Sequence, residues 1–139
     1  MDGLILRVNE MIKMVYVIND AGETLVSIPL GDFHADEALF GGFMTAIDMF
    51  SHKMAGDSIK ELILGNNRVV VAREGAHLLV TVHDKGDTDS QTINARACEA
   101  FRKHYGGVVT DEMTDAIREA VLGTISIRGK AEDWASKML

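Results

Sequence analysis

Five histidines, a short acidic run and a glycine pair are the groups in this 139-residue chain whose types and spacing could do chemistry. His34 stands in Gly31-Asp32-Phe33-His34-Ala35-Asp36-Glu37, where an imidazole and nearby carboxylates could hold a metal ion. The same segment also reads as a polar loop that delivers Asp36 as the N-cap of a helix and Glu37 to its positive end, and that reading is favoured. His77 and His83 share one extended run, so their side chains project from the same face. They lie about 20 Å apart by the usual rise per residue, too far to share one ion. Both read as strand-end histidines. His52 and His104 fall near helix C-termini, where an imidazolium suits the dipole.

The remaining candidates are weaker. Asp84-Lys85-Gly86-Asp87-Thr88-Asp89 is like the opening of a calcium loop, but the glycine comes too early and no glutamate closes the loop, so a solvated turn is expected. Gly41-Gly42 falls inside an apolar-periodic segment with no GxxxxGK[ST] pattern, which points to close helix packing rather than a phosphate cradle. Ser27, Ser51, Ser58, Ser90 and Ser126 have no GxSxG setting and no recognisable base and orienting acid. Cys98 is the single cysteine and sits among Ala97, Ala100 and Phe101, as a small core residue would. No residue pattern supports an enzyme, and no cofactor or metal is expected.

Composition narrows the partners. A net charge of −7 repels phosphate backbones and anionic membranes, so nucleic acid is not an expected partner. No apolar run approaches the 18 or so residues of a spanning helix. The N-terminus lacks the charged and apolar regions of a secretory signal, which makes the cytoplasm the expected compartment. Hydrophobic content of 47% with 25% charged residues fits a globular chain long enough for one domain.

The elements that must position these groups follow from apolar periodicity. Met14–Asn19 and Thr24–Pro29 flank the turn-forming Asn19-Asp20-Ala21-Gly22-Glu23 and predict a hairpin. Ile59–Leu64, Arg68–Arg73 and His77–His83 predict three more strands, joined by short turns. Val15–Ile18, Val69–Ala72 and Leu78–Val80 are continuously apolar, as in strands covered on both faces. Helices are predicted over Asp36–Met54, Asp89–Tyr105 and Asp111–Leu122, with a Thr88-Asp89-Ser90-Gln91 capping box before the second. Residues 1–123 read as one domain with its core in 14–122, and 124–139 as an extension. Leu4–Lys13 reads as a short helix or extra strand, Thr124–Arg128 as strand-like, and Lys130–Leu139 as a helical turn pairing Trp134 with Met138.

The result is an α+β fold of order β-β-α-β-β-β-α-α, a five-stranded antiparallel sheet sandwiched between helices. That order, with Val15-Tyr16-Val17-Ile18-Asn19-Asp20-Ala21-Gly22 opening the first hairpin and Gly41-Gly42-Phe43-Met44-Thr45-Ala46-Ile47 in the first helix, resembles the longin-like (profilin-like) domains and the related roadblock family. Roadblock domains normally begin with a helix, which only Leu4–Lys13 could supply here, so longin is the nearer likeness. The resemblance covers about Met14 to Leu122 and implies a non-catalytic scaffold, dimeric, that binds or regulates a small GTPase.

The first helix carries more apolar surface than one core-facing stripe needs: Leu39, Phe40, Phe43, Met44, Ile47, Met49, Phe50 and Met54. The stripe Leu39–Phe43–Ile47–Phe50 is taken as the core face. That leaves Phe40 and Met44 as the exposed pair, either meeting a partner or enveloped by the chain's own loops; the candidate interface is Phe40, Met44 and Ile47 with Lys60, Glu61 and Leu62 of the following strand, which the resemblance implies is a sheet edge. A small-molecule sensor or carrier with a pocket between sheet and helix is the alternative function.

Overall fold

A computed structural model describes residues 11–123 of the chain. The elements are β1 (Ile12–Asn19), β2 (Thr24–Pro29), α1 (Glu37–Ala55), β3 (Glu61–Leu64), β4 (Asn67–Glu74), β5 (His77–Asp84), α2 (Ser90–His104) and α3 (Asp111–Leu122). This is the order read from the sequence, with boundaries moved by two residues or fewer. Of Leu4–Lys13, Ile12 and Lys13 belong to β1. Residues 4–10, the strand-like Thr124–Arg128 and the Lys130–Leu139 segment with Trp134 and Met138 lie outside the described residues.

The strands form one sheet in the order β2-β1-β5-β4-β3, every neighbour antiparallel. Period-2 alternation sends Met14, Tyr16 and Ile18 of β1 to one face, where they pack with Val69, Val71 and Val80 beneath Phe40 and Met44 of α1. Val15 and Val17 point the other way, joining Val26, Ile28 and Leu79 under Ile93 and Phe101 of α2 and Met113 and Ile117 of α3. Helices on both faces explain why β1 has no polar side.

Local chemistry sets the joints. Asn19 Oδ1 accepts hydrogen bonds from the backbone N–H groups of Ala21 and Glu23, and Gly22 takes a φ of 81°, closing the β1–β2 turn. Asp36 Oδ1 accepts from Leu39 N at 2.9 Å, the N-cap expected for α1. Thr110 caps α3 in the same way, accepting from Met113 N. The expected capping box of α2 does not form. The N-cap is Asp89 rather than Thr88 and makes no side-chain cap bond, and Gln91, which the box would have paired with Thr88, instead donates to Glu61 Oε2 on β3.

Candidate functional site

Three contacts decide how α1 lies on the sheet. Phe40 and Met44 enter the core against Tyr16, whose ring centroid is 4.8 Å from that of Phe40. Gly41 brings the helix against the β1–β2 turn so closely that a Cβ there would stand 2.5 Å from Gly22 O and 2.9 Å from Thr24 Oγ1. Asp48, on the same side, meets Arg73 of β4 through Oδ2 and Nη2. The sheet-facing side of α1 is therefore Phe40, Gly41, Met44 and Asp48.

This reverses the expectation for the helix. Phe40 and Met44 are not exposed, at 7% and 0%, whereas Leu39, Phe50 and Met54 of the supposed core stripe are 75%, 64% and 71% exposed. Phe43 and Met49 also reach solvent, and Ile47 is half-buried at the boundary. The physical reason is that the true inner face needs a glycine for close approach and an aspartate for an ion pair. That breaks its apolar periodicity and leaves the outer face the more regular of the two.

β3 forms one edge of the sheet, as expected. Lys60, just before it, is exposed; Glu61 is half-buried and pairs with Arg68; Leu62 packs half-buried against the cluster under α1. Ile63 points to the opposite side and is 43% exposed. Of the six residues expected at an interface, the structure buries two under the helix, and Lys60 is the one left fully at the surface.

The histidines divide. His34 is exposed beside Asp32 at 3.3 Å, in the loop before the Asp36 cap. His77 and His83 do face the same side of the sheet, but neither is an idle strand end. His77 lies between the rings of Phe101 and Tyr105, at centroid distances of 5.2 and 4.9 Å. His83 is fully buried, with Nδ1 2.9 Å from Asp87 Oδ2 and Nε2 2.7 Å from Thr81 Oγ1. Asn94 Nδ2 donates to Thr81 Oγ1 at 3.0 Å, and the Cys98 thiol donates to Asn94 Oδ1 at 3.6 Å.

The acid–imidazole–hydroxyl connectivity of Asp87, His83 and Thr81 is that of a nucleophilic triad. Thr81 and His83 are nevertheless 0% exposed, so the hydroxyl has no approach for a substrate. The network satisfies buried polar groups between β5 and α2. Burial pushes the His83 imidazole below its ordinary value, outweighing the Asp87 hydrogen bond that raises it. Burial also pushes the Cys98 thiol up to about 11, against any thiolate role. The sequence signal for this network was a threonine and a histidine alternating on the helix-facing side of an apolar strand, with Asp87 four residues beyond.

A second grouping joins Ser58 Oγ to His52 Nε2 at 2.9 Å, with Asp48 Oδ1 3.8 Å from the same nitrogen. A proton relay needs both ring nitrogens, so this is not one. Among the described residues no cluster of three or more His, Cys, Asp or Glu side chains could hold a metal. Concavities among the described residues include two at the surface. One, of about 440 Å³, lies between α2 and α3 beside Arg96, Lys103 and Glu119. The other, of about 290 Å³, lies beside Asp48 of α1, Lys60 just before β3, and Val71 and Arg73 of β4. No helix among the described residues is long and apolar enough to cross a membrane.

The surface feature that stands apart is the outer face of α1, where Leu39, Phe43, Met49, Phe50 and Met54 reach solvent. No protein-family model matches this chain, and no curated protein matches it. Among solved structures it is similar to a Roadblock/LC7 domain from Streptomyces avermitilis, with 12% identity and a TM-score of 0.56 over 75% of this chain and 92% of that one. At this identity the likeness speaks for the fold. Element order, sheet order and this structural likeness together show that the chain has a longin/roadblock-like α+β fold.

Proposed function

We propose that the chain is a non-catalytic protein-interaction module that self-associates through the outer face of α1 and the neighbouring β3 edge. The observation that carries this reading is the exposure of Leu39, Phe43, Phe50 and Met54 along one side of a single helix. Scattered exposed apolar residues are ordinary, whereas a contiguous strip of large ones marks an association surface. Aromatic and methionine side chains are the types enriched in such surfaces. A small GTPase is the proposed regulatory partner of the assembled module, on the support of the fold resemblance.

Sedimentation of the full chain tests the self-association. The wild type should be a dimer at micromolar concentration, and a Leu39→Glu/Phe50→Glu variant a folded monomer. A variant that remains as dimeric as the wild type removes this face from the account. The GTPase partner is tested separately, by whether the chain alters nucleotide exchange or hydrolysis by small GTPases of the same cell. Unchanged rates and no complex across that set would remove the GTPase and leave the association surface standing.

A further inference from the structure

Asp48 is only half satisfied by the contact that anchors α1. Its side chain is 3% exposed and Oδ2 takes the Arg73 guanidinium, but Oδ1 accepts no hydrogen bond from any described residue. A buried carboxylate oxygen without a donor costs stability, and a bound donor would remove that cost. The same side chain lines the concavity of about 290 Å³. Ligand pockets run from roughly 300 to 1,000 Å³, so this one has the size for a small metabolite rather than a drug-sized molecule.

The rest of the lining says what such a metabolite carries. Ile59, Val71 and Leu78 supply an apolar wall. Arg73 is already engaged by Asp48, Asp20 and the Gly75 carbonyl, whereas Lys60 is exposed and forms no ion pair among the described residues. The backbone adds a further group. Val71 N–H donates outward to Lys60 O, and β3 pairs with β4 only as far as Glu61 opposite Val70. Backbone direction alternates along an antiparallel strand, so Arg73, two residues on, turns its N–H and C=O to the same side, beyond the last β3 pair. A bare cation would meet an Asp48 already neutralised by Arg73, with Lys60 beside it. A bare anion would leave Oδ1 without a donor. A molecule with an ammonium next to a carboxylate, on an aliphatic body, answers every group in the lining.

We propose that this concavity binds a small α-amino acid with an aliphatic side chain. The ammonium donates to the Asp48 carboxylate, the carboxylate takes Lys60 and the Arg73 backbone N–H, and the side chain lies against Ile59, Val71 and Leu78. Oδ1 is closed to water in the structure, so the ammonium reaches it by moving a neighbour. That neighbour is His52, whose side chain is exposed, with Nε2 3.8 Å from Oδ1 and 2.9 Å from Ser58 Oγ. Arg73, held at three acceptors, stays in place. Every group involved belongs to one chain, so the site does not rest on self-association.

Calorimetric titration of the full chain with leucine, leucine amide and 4-methylpentanoate tests this, alongside NMR spectra of the labelled protein. Leucine should bind one per chain and raise the melting temperature. The amide, which lacks the carboxylate, and 4-methylpentanoate, which lacks the ammonium, should each bind at least about tenfold more weakly. Lys60→Glu should weaken leucine by a similar factor while keeping the wild-type melting temperature in its absence, because Lys60 is exposed and unpaired among the described residues. Asp48→Asn should weaken leucine as well, but it also loosens α1, so Lys60→Glu carries the test. The amide signals of Lys60 and Arg73 and the ring signals of His52 should move on adding leucine, and that of Asp115 should not. Signals unmoved by leucine, isoleucine and valine at about 10 mM would overturn the site. Binding of 4-methylpentanoate as tight as that of leucine, or leucine binding indifferent to Lys60→Glu, would overturn the assignment of its groups. Sedimentation reads self-association separately, so either reading can fail alone.

Discussion

Asp48 of α1 and Arg73 of β4 are joined by a charge-assisted hydrogen bond of 2.5 Å, Oδ2 to Nη2, which fixes which side of the helix faces the sheet. The aspartate side chain is 3% exposed and the arginine 36%, so the two partners are unequal. Arg73 keeps a second acidic neighbour, Asp20, at 3.3 Å. Asp48 Oδ1 has no hydrogen-bond partner among the described residues.

That inequality predicts an asymmetric response. Arg73→Ala strands a buried carboxylate and should cost about 2–3 kcal/mol, within the range for leaving a charged group unsatisfied. Asp48→Asn leaves Arg73 with water and Asp20 and should cost less. Urea unfolding of both variants measures the difference, and an equal or reversed order would show that the pair does not anchor α1.

Gly41 and Gly42 should respond in opposite senses although they are adjacent. Gly41→Ala drives a Cβ into Gly22 O and Thr24 Oγ1 and should destabilise the fold by about 1–3 kcal/mol. Gly42→Ala meets nothing within 4 Å among the described residues and should stabilise the monomer by up to about 1 kcal/mol through helix propensity. Chemical denaturation at low protein concentration, where association is absent, compares the two directly.

His83 predicts a pH dependence. Its folded-state pKa lies below the unfolded value of about 6.5, so below that pH the unfolded chain binds a proton that the folded chain resists. Stability should therefore be full above about pH 6.5 and fall as the pH drops toward 5. Asp87, which faces Nδ1, opposes the shift, and the Arg68 cation adds to it. Replacing His83 by Gln should lower overall stability but flatten the slope in this window, as read from urea midpoints across the pH series.

Cys98 should be inert in the native protein. It is 4% exposed, and burial pushes its thiol up to about 11. A thiol reagent at neutral pH should modify it at the rate of unfolding, and fast stoichiometric labelling of folded protein would contradict the packing of α2 on the sheet.

The fold was legible because its strands carry their message residue by residue. Val15–Ile18 could be continuous only if both faces were covered, and Asp36 and Gly22 marked a helix start and a turn through chemistry that acts locally. The orientation of α1 was not legible. Periodicity reports the most regular apolar stripe, and here that stripe is the outer one, because Gly41 and Asp48 answer to the Gly22 carbonyl and the Arg73 guanidinium from distant parts of the sequence. The His83 network was hidden for the same reason: Asn94, which completes it, lies on another element. Edge position for β3 came from resemblance, and no single residue in Glu61–Leu64 declares it.

The account's central claim is that two copies meet through the outer face of α1. Site-directed cross-linking tests it most directly, with a short bismaleimide added to the Ala46→Cys variant and to an Asp115→Cys control on α3, Cys98 being buried in both. Ala46→Cys should give covalent dimer in high yield at low micromolar protein, and Asp115→Cys should give little. Covalent dimer from Asp115→Cys with none from Ala46→Cys, or none from either, would contradict it.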